Sequence, residues 1–170
     1  MAILRGIVLG FVAGLVGAAA MTVAHKGLTA ISPGPRPTAP AGQEQDVDST
    51  VKVADGITRL LLQRPLPEDK KPLAGNLVHY GFGASVGGLY GGLATVMPRI
   101  TVAFGLPFGV AVWLGAHVIM VPALGLAAPP TRQPLTKEAL EFVLHLVYGG
   151  VTELVRRLIP SGGAAGGRGE

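Results

Sequence analysis

The feature that most constrains this chain is a set of long apolar runs that carry almost no charge. The first run covers about 19 residues, from Gly6 to Ala24, between Arg5 and His25. As a helix it would be about 28 Å long at 1.5 Å per residue, enough to cross the hydrocarbon of a bilayer. A cleaved signal peptide has a similar basic start and apolar stretch. We favour a membrane helix that is kept, because its glycines recur every four residues and such a ridge serves close helix packing. The ridge consists of Gly6, Gly10 and Gly14.

Three further apolar runs follow and predict three more membrane helices. The four helices are placed at residues 1–26, 73–97, 102–126 and 138–159. Glycines spaced by four recur in the second helix: Gly83, Gly87 and Gly91, with Gly88 and Gly92 beside them. Because only Pro98 to Thr101 separates the second helix from the third, we expect these two to form a tight antiparallel hairpin. Pro107 and Pro122 each remove a backbone hydrogen bond from the third helix, and each should bend it unless it lies in the first turn.

The composition favours the same class of protein and argues against several others. Of 170 residues, 49% are hydrophobic and 14% charged, with a mean hydropathy of +0.49, which is too apolar for an ordinary soluble domain. The net charge of +4 comes from basic residues at helix ends and in loops, without interleaved aromatics, so we expect no nucleic-acid partner. The absence of cysteine excludes disulfides, thiolate ligands and cysteine nucleophiles. No arrangement typical of an active site is found, so we predict that the protein is not an enzyme.

The first long loop, residues 27–72, is rich in proline and contains a short amphipathic helix at residues 50–64. This helix is too short and too charged to cross a membrane. It lies at the membrane surface, or it packs on the rest of the protein as an ordinary surface helix. The glycine-rich tail, residues 160–170, is expected to be disordered. The predicted fold class is therefore all-α, a four-span transmembrane helix bundle with a short interfacial helix in the first long loop.

Four spans place both termini on the same side of the membrane, and arginines crowd the short segments on that side. They are Arg5, Arg99, Arg156 and Arg157. By the positive-inside rule this side is predicted to be cytoplasmic. Glu153 stands three and four residues before the last two arginines, so it should pair with one of them or with Arg99. Such a pair is worth only tenths of a kcal/mol if water reaches it.

Each of the last three predicted spans carries one histidine, and the topology brings the three to one level. His79, His117 and His145 come out roughly 8–14 Å below the same face at 1.5 Å per residue. Glu141 lies four residues before His145 and so on the same face of its helix. We predict a buried polar cluster, since lipid would not solvate these side chains. Its members are His79, His117, His145, Glu141, Asn76 and Tyr148.

Four interpretations of this cluster stay open. The histidines form hydrogen bonds between helices and hold them in register, or they sense and relay protons, since the pKa of imidazole is near neutrality. Alternatively, His79, His117 and His145 bind a metal ion, with Glu141 as a further ligand, or two of them bind a b-type haem. We expect no cofactor and a structural or regulatory membrane protein whose cluster responds to pH. The alternatives are a metal or haem protein and a small transporter or channel subunit. The expected partners are the lipid bilayer and a second copy or another membrane subunit.

Landmarks in the last three runs resemble those of the YagU-type family of small bacterial inner-membrane proteins. They are Leu77–His79, Tyr90–Gly91, Met97–Ile100, His117, Pro122–Leu126, Pro129–Pro130, Glu141, His145–Tyr148 and Glu153–Arg157. The resemblance implies a multi-span protein of the bacterial inner membrane whose histidines and terminal Glu/Arg cluster belong to the family pattern. It implies no reaction.

Overall fold

The computed structural model describes residues 1–31 and 49–159, and within these ranges the fold is all-α, as predicted. The five helices are α1 (Ala2–Ile31), α2 (Ser49–Leu62), α3 (Lys71–Val96), α4 (residues 106–123) and α5 (Leu135–Leu158). Short 3-10 segments precede α3, α4 and α5. The predicted tail at residues 160–170 and most of the proline-rich linker lie outside the described residues.

The contact between α1 and α3 consists of backbone against backbone. A Cβ atom added to Gly10 would lie 2.2 Å from the carbonyl oxygen of Gly87, and one added to Gly14 would lie 2.4 Å from that of Gly83. No side chain fits at such distances, so glycine is required at each of these positions. The glycine ridges of the sequence therefore meet each other, and the opposed order of residue numbers shows that the two helices are antiparallel.

A second glycine contact joins α4 to α5. A Cβ atom on Gly109 would lie 2.4 Å from the carbonyl oxygen of His145, and one on Gly105 would lie 2.5 Å from that of Gly149. α5 also packs on α1, where Gly17 faces Thr152. The helices thus follow one another in the order α3, α1, α5, α4, with alternating directions.

The structure differs from the prediction at the junction of α3 and α4. The predicted tight hairpin does not form, because the backbones of these two helices do not pack along each other. Their connection is longer than expected, since Val102 to Phe104 depart from helical geometry and α4 begins only at Leu106. Pro107 therefore falls in the first turn, where a backbone N–H has no helical acceptor, so its missing N–H costs no hydrogen bond and causes no bend. Farther along, a π-helical segment at Trp113–Met120 precedes Pro122.

Two helices are long and apolar enough to cross a membrane, namely Ala2–Ile31 and the segment Pro98–Ala123 that contains α4. Only 28% of the most apolar window of the first and 11% of that of the second are buried, whereas the core helix of a soluble protein is mostly buried. Glycines in α3 and charged residues near both ends of α5 make these two helices less apolar.

Small side chains fill most of the contacts between the described helices. The buried positions are largely glycine, alanine and polar residues, including the fully buried Thr152 and Glu153. Large apolar side chains point outward on every long helix, as for Phe11 on α1, Leu89 on α3 and Leu114 on α4. Small residues inside and large apolar ones outside are the pattern of helices that pack in lipid.

The short helix α2 packs on the first part of α3. A Cβ atom on Gly75 would lie 2.8 Å from Cγ2 of Val51. The other end of α2 leaves the apolar side chains of Ile57 and Leu61 exposed. α2 therefore packs on its own protein through its first turns and presents apolar side chains outward at its end.

Candidate functional site

The structure divides the predicted histidine cluster into two polar groups at one end of the bundle. In the first group, the rings of His117 on α4 and His145 on α5 lie 6.0 Å apart between centroids. Nδ1 of His145 is 2.7 Å from the backbone oxygen of Glu141, and because a carbonyl only accepts, this nitrogen carries the proton. The two rings thus meet between α4 and α5.

The acidic partner in this group is Glu138, which sequence reasoning did not include in the cluster. Oε2 of Glu138 lies 3.0 Å from Nε2 of His117, and the glutamate is only 8% exposed. Glu141 was predicted for this role, but it contacts His145 through its backbone oxygen. A helical side chain leans back over the preceding turn, which brings the ring to that carbonyl. The spacing of seven residues, two helical turns, between Glu138 and His145 was the available signal.

The second group joins His79 on α3 to α1. Nε2 of His79 lies 3.5 Å from Oγ1 of Thr22 and 3.4 Å from the backbone oxygen of Ala18. The hydroxyl of Tyr80 is 3.4 Å from the same Thr22 oxygen. His79 and His117 both lie within electrostatic range of His145, so the three imidazoles share one end of the bundle without forming one set of contacts.

The two other predicted members stand apart from the histidines. The side chain of Asn76 is exposed. Tyr148 is buried, and its hydroxyl donates a hydrogen bond of 2.6 Å to the backbone oxygen of Gly83, which ties α5 to α3. Tyr148 is therefore a packing residue between helices.

Within residues 1–31 and 49–159, no group of three or more His, Cys, Asp or Glu side chains is positioned to hold a metal ion. In the His117 and His145 group, one ring nitrogen of each histidine already contacts an oxygen acceptor. The arrangement is suited to holding a proton between an imidazole and a carboxylate. No described contact favours the metal or haem alternative.

The opposite end of the bundle contains an ionic cluster built around Glu153. This carboxylate is fully buried and accepts hydrogen bonds from Arg156 at 2.7 and 2.9 Å, and from the hydroxyl of Tyr90 at 2.9 Å. Nε of Arg157 donates a further bond to it. Glu153 therefore pairs with both arginines of its own helix. Gly105 brings the start of α4 directly over Glu153, so water does not reach the carboxylate, whereas the side chains of Arg156 and Arg157 are 25% and 42% exposed.

Arg157 contacts the segment that connects α3 to α4, whereas Arg99, which lies in that segment, does not join the cluster. Nη2 of Arg157 donates a hydrogen bond of 2.9 Å to the backbone oxygen of Thr101, and its guanidinium lies 4.8 Å from the ring centroid of Phe104. Arg157 thus holds the irregular segment before α4 against α5. Arg99, which was predicted to join the cluster, is exposed and has no hydrogen-bond or ion-pair partner among residues 1–31 and 49–159.

The fold and its polar groups define a class, an all-α protein with two helices long and apolar enough to cross a membrane. A family model described as "Protein of unknown function (DUF1440)" matches residues 61–154, more than half of the chain, and the chain belongs to this family. The matched range includes the three histidines, Glu138 and Glu153, and it ends before Arg156. Searches of curated proteins and of solved structures gave no match.

Proposed function

We propose that this chain is a four-span, non-enzymatic protein of the bacterial inner membrane, with a structural or regulatory role in which the His117–Glu138 pair couples helix packing to pH. Two helices meet the length and hydropathy of a span directly. At 26 and 24 residues, α3 and α5 are also longer than the roughly 20 that a span needs. Their alternating directions and outward apolar side chains support the same number of spans. The YagU-type resemblance supports the bacterial inner membrane.

The observation that carries the pH dependence is the short contact between His117 and Glu138. It joins α4 to α5, and the two side chains are 24% and 10% exposed. A neutral imidazole donates an ordinary hydrogen bond here, whereas a protonated one forms an ion pair, which is stronger away from water. The contact between α4 and α5 is therefore stronger with a protonated imidazole than with a neutral one.

The other titratable groups near this pair set the limits of the effect. His145 on α5 lies 6.0 Å from His117 between ring centroids, and His79 comes from α3. Glu141 is one turn of α5 from both Glu138 and His145. Protonation of a second imidazole places two positive charges close together and opposes the gain from the first. We therefore expect the tightest contact of α4 with α5 at mildly acidic pH.

Thermal unfolding of the protein in a mild detergent tests this proposal. The unfolding midpoint of the unchanged protein should rise as the pH falls from 8 to 6, and His117→Gln should remove most of that rise. His25→Gln is the matched control, because His25 is exposed near the end of α1 and its loss should leave the pH dependence intact. An identical pH profile for His117→Gln and the unchanged protein would contradict the proposal.

A further inference from the structure

An apolar groove separates α3 from α4, the two helices that do not pack along each other. Its volume is about 640 Å³, within the range of small-molecule sites. The walls are aliphatic and aromatic, among them Phe82, Leu89, Leu93, Val112 and Met120. Tyr90 and Phe108 stack at 4.1 Å between ring centroids and line the groove between the two helices.

One end of the groove is cationic. Arg99 lines it there, and its guanidinium has no partner among the described residues. Arg5, Arg156 and Arg157 belong to the same end of the bundle, since Gly6 of α1 contacts Gly91 near the end of α3. Glu153 is the one described carboxylate at this end, and its oxygens already accept bonds from two arginines and Tyr90. Arg99 therefore places a positive charge at the groove end that no described carboxylate neutralises.

The length of the groove matches one leaflet of a bilayer. From Phe82 to Leu93 the wall on α3 extends about 16 Å at 1.5 Å per residue. Half of the hydrocarbon core is about 15 Å. The cationic end lies beyond Leu93, at the level where a lipid headgroup would stand if these helices span the membrane.

From this combination we propose that the groove binds an anionic phospholipid, with one acyl chain between α3 and α4 and the phosphate at Arg99. The inference rests on the proposed membrane location. It goes beyond that location because it names a lipid class and a site. The apolar walls of the groove favour an apolar chain as occupant, and the positive charge of Arg99 favours a negatively charged headgroup. A basic residue near the membrane surface typically favours an anionic lipid by about fivefold.

Lipid analysis of the protein reconstituted with equal parts of phosphatidylcholine and phosphatidylglycerol tests the site. We expect phosphatidylglycerol to be retained through detergent purification, as measured by native mass spectrometry. Arg99→Gln should lower the preference for phosphatidylglycerol over phosphatidylcholine by about fivefold. Arg132→Gln, an exposed arginine in the loop at the other end of the bundle, should leave this preference unchanged.

A second pair of variants tests the groove itself. Gly115 lines the groove, and a Cβ atom there would meet nothing within 4 Å, so Gly115→Leu fills the space without a backbone clash. It should reduce retention of both lipids, whereas Gly81→Leu, equally unobstructed but outside the groove, should not.

Two results would overturn the site. One is wild-type lipid retention in both Arg99→Gln and Gly115→Leu. The other is a disulfide-linked dimer through Leu89→Cys that forms at the expense of bound lipid, which would show that a second copy covers the groove. If the protein does not fractionate with membranes at all, the proposed function fails first. If it does fractionate with them and the lipid results fail, only the groove assignment is wrong.

Discussion

Glu138 and Glu153, the two buried glutamates among residues 1–31 and 49–159, stand at opposite ends of the bundle and have different kinds of partner. Glu153 is surrounded by Arg156, Arg157 and Tyr90, and arginine stays charged at every relevant pH. Glu138 faces His117, whose charge depends on pH. A buried carboxylate thus forms a contact with permanently charged arginines at one end, and at the other end a contact whose strength depends on the charge of a histidine. The partner, and not the buried acid, decides which end of the bundle can respond to its surroundings.

The largest loss of stability is expected from replacing Glu153. Glu153→Gln replaces a fully buried carboxylate that accepts bonds from Arg156, Arg157 and Tyr90. Because the two arginine side chains are 25% and 42% exposed, it should lower the free energy of unfolding by about 3 kcal/mol, the upper end for hydrogen bonds to charged groups, at any pH between 6 and 8. Glu138→Gln should lower it by about 1–3 kcal/mol, and more at pH 6 than at pH 8. Denaturant titrations in detergent at the two pH values measure both. Equal losses with equal pH dependence would remove the distinction between the two ends.

A smaller loss of stability is expected from disrupting the contact between α1 and α3 at the Glu153 end of the bundle. In Gly91→Val the new Cβ atom would lie 2.2 Å from the backbone oxygen of Gly6, so α1 and α3 must separate. We expect a loss of about 1–3 kcal/mol or more, the usual range for overpacking. Gly81→Val, on the same helix toward the histidine end, meets nothing within 4 Å and should change little. Comparable unfolding midpoints for the two variants would show that the glycine contact is not close in the membrane.

The smallest effect concerns α2, which packs on α3 toward the histidine end. Asp55 accepts hydrogen bonds from Arg59 and from the backbone N–H of Leu66, and these hold the pKa of its carboxyl below the ordinary value of 3.8. The resulting stabilisation is present above that value and is lost as the pH falls through the lowered pKa. Asp55→Asn should therefore increase proteolysis after α2 at neutral pH, and this difference from the unchanged protein should vanish in strong acid. Identical digestion of the two proteins at neutral pH would show that Asp55 does not hold this turn.

The parts of this fold that could be predicted are those that depend on local pattern. The glycine ridges of α1 and α3 are visible in the spacing of small residues, and they do meet. The histidines at one end follow from counting residues along antiparallel helices. What could not be predicted depends on contacts between distant segments.

The late start of α4 is one such case. Ala103 and Phe104 have φ of 48° and 53°, a conformation that their sequence does not favour and that Arg157 supports from α5. The groove between α3 and α4 follows from that geometry. The pairing of His117 with Glu138 across two helices was hidden for the same reason, since Glu141 has the more conspicuous local spacing.

The central claim, that the outward apolar surface faces lipid in four alternating spans, is tested most directly by cysteine accessibility in intact cells. The chain has no cysteine, so single replacements report one position each. We predict that an impermeant thiol reagent labels Leu62→Cys and Ala128→Cys at the histidine end and does not label Ala2→Cys or Val102→Cys at the arginine end. The same contrast with the two ends exchanged would keep the four spans and reverse only the orientation. Equal labelling of all four positions, or recovery of the protein without membranes, would contradict the account.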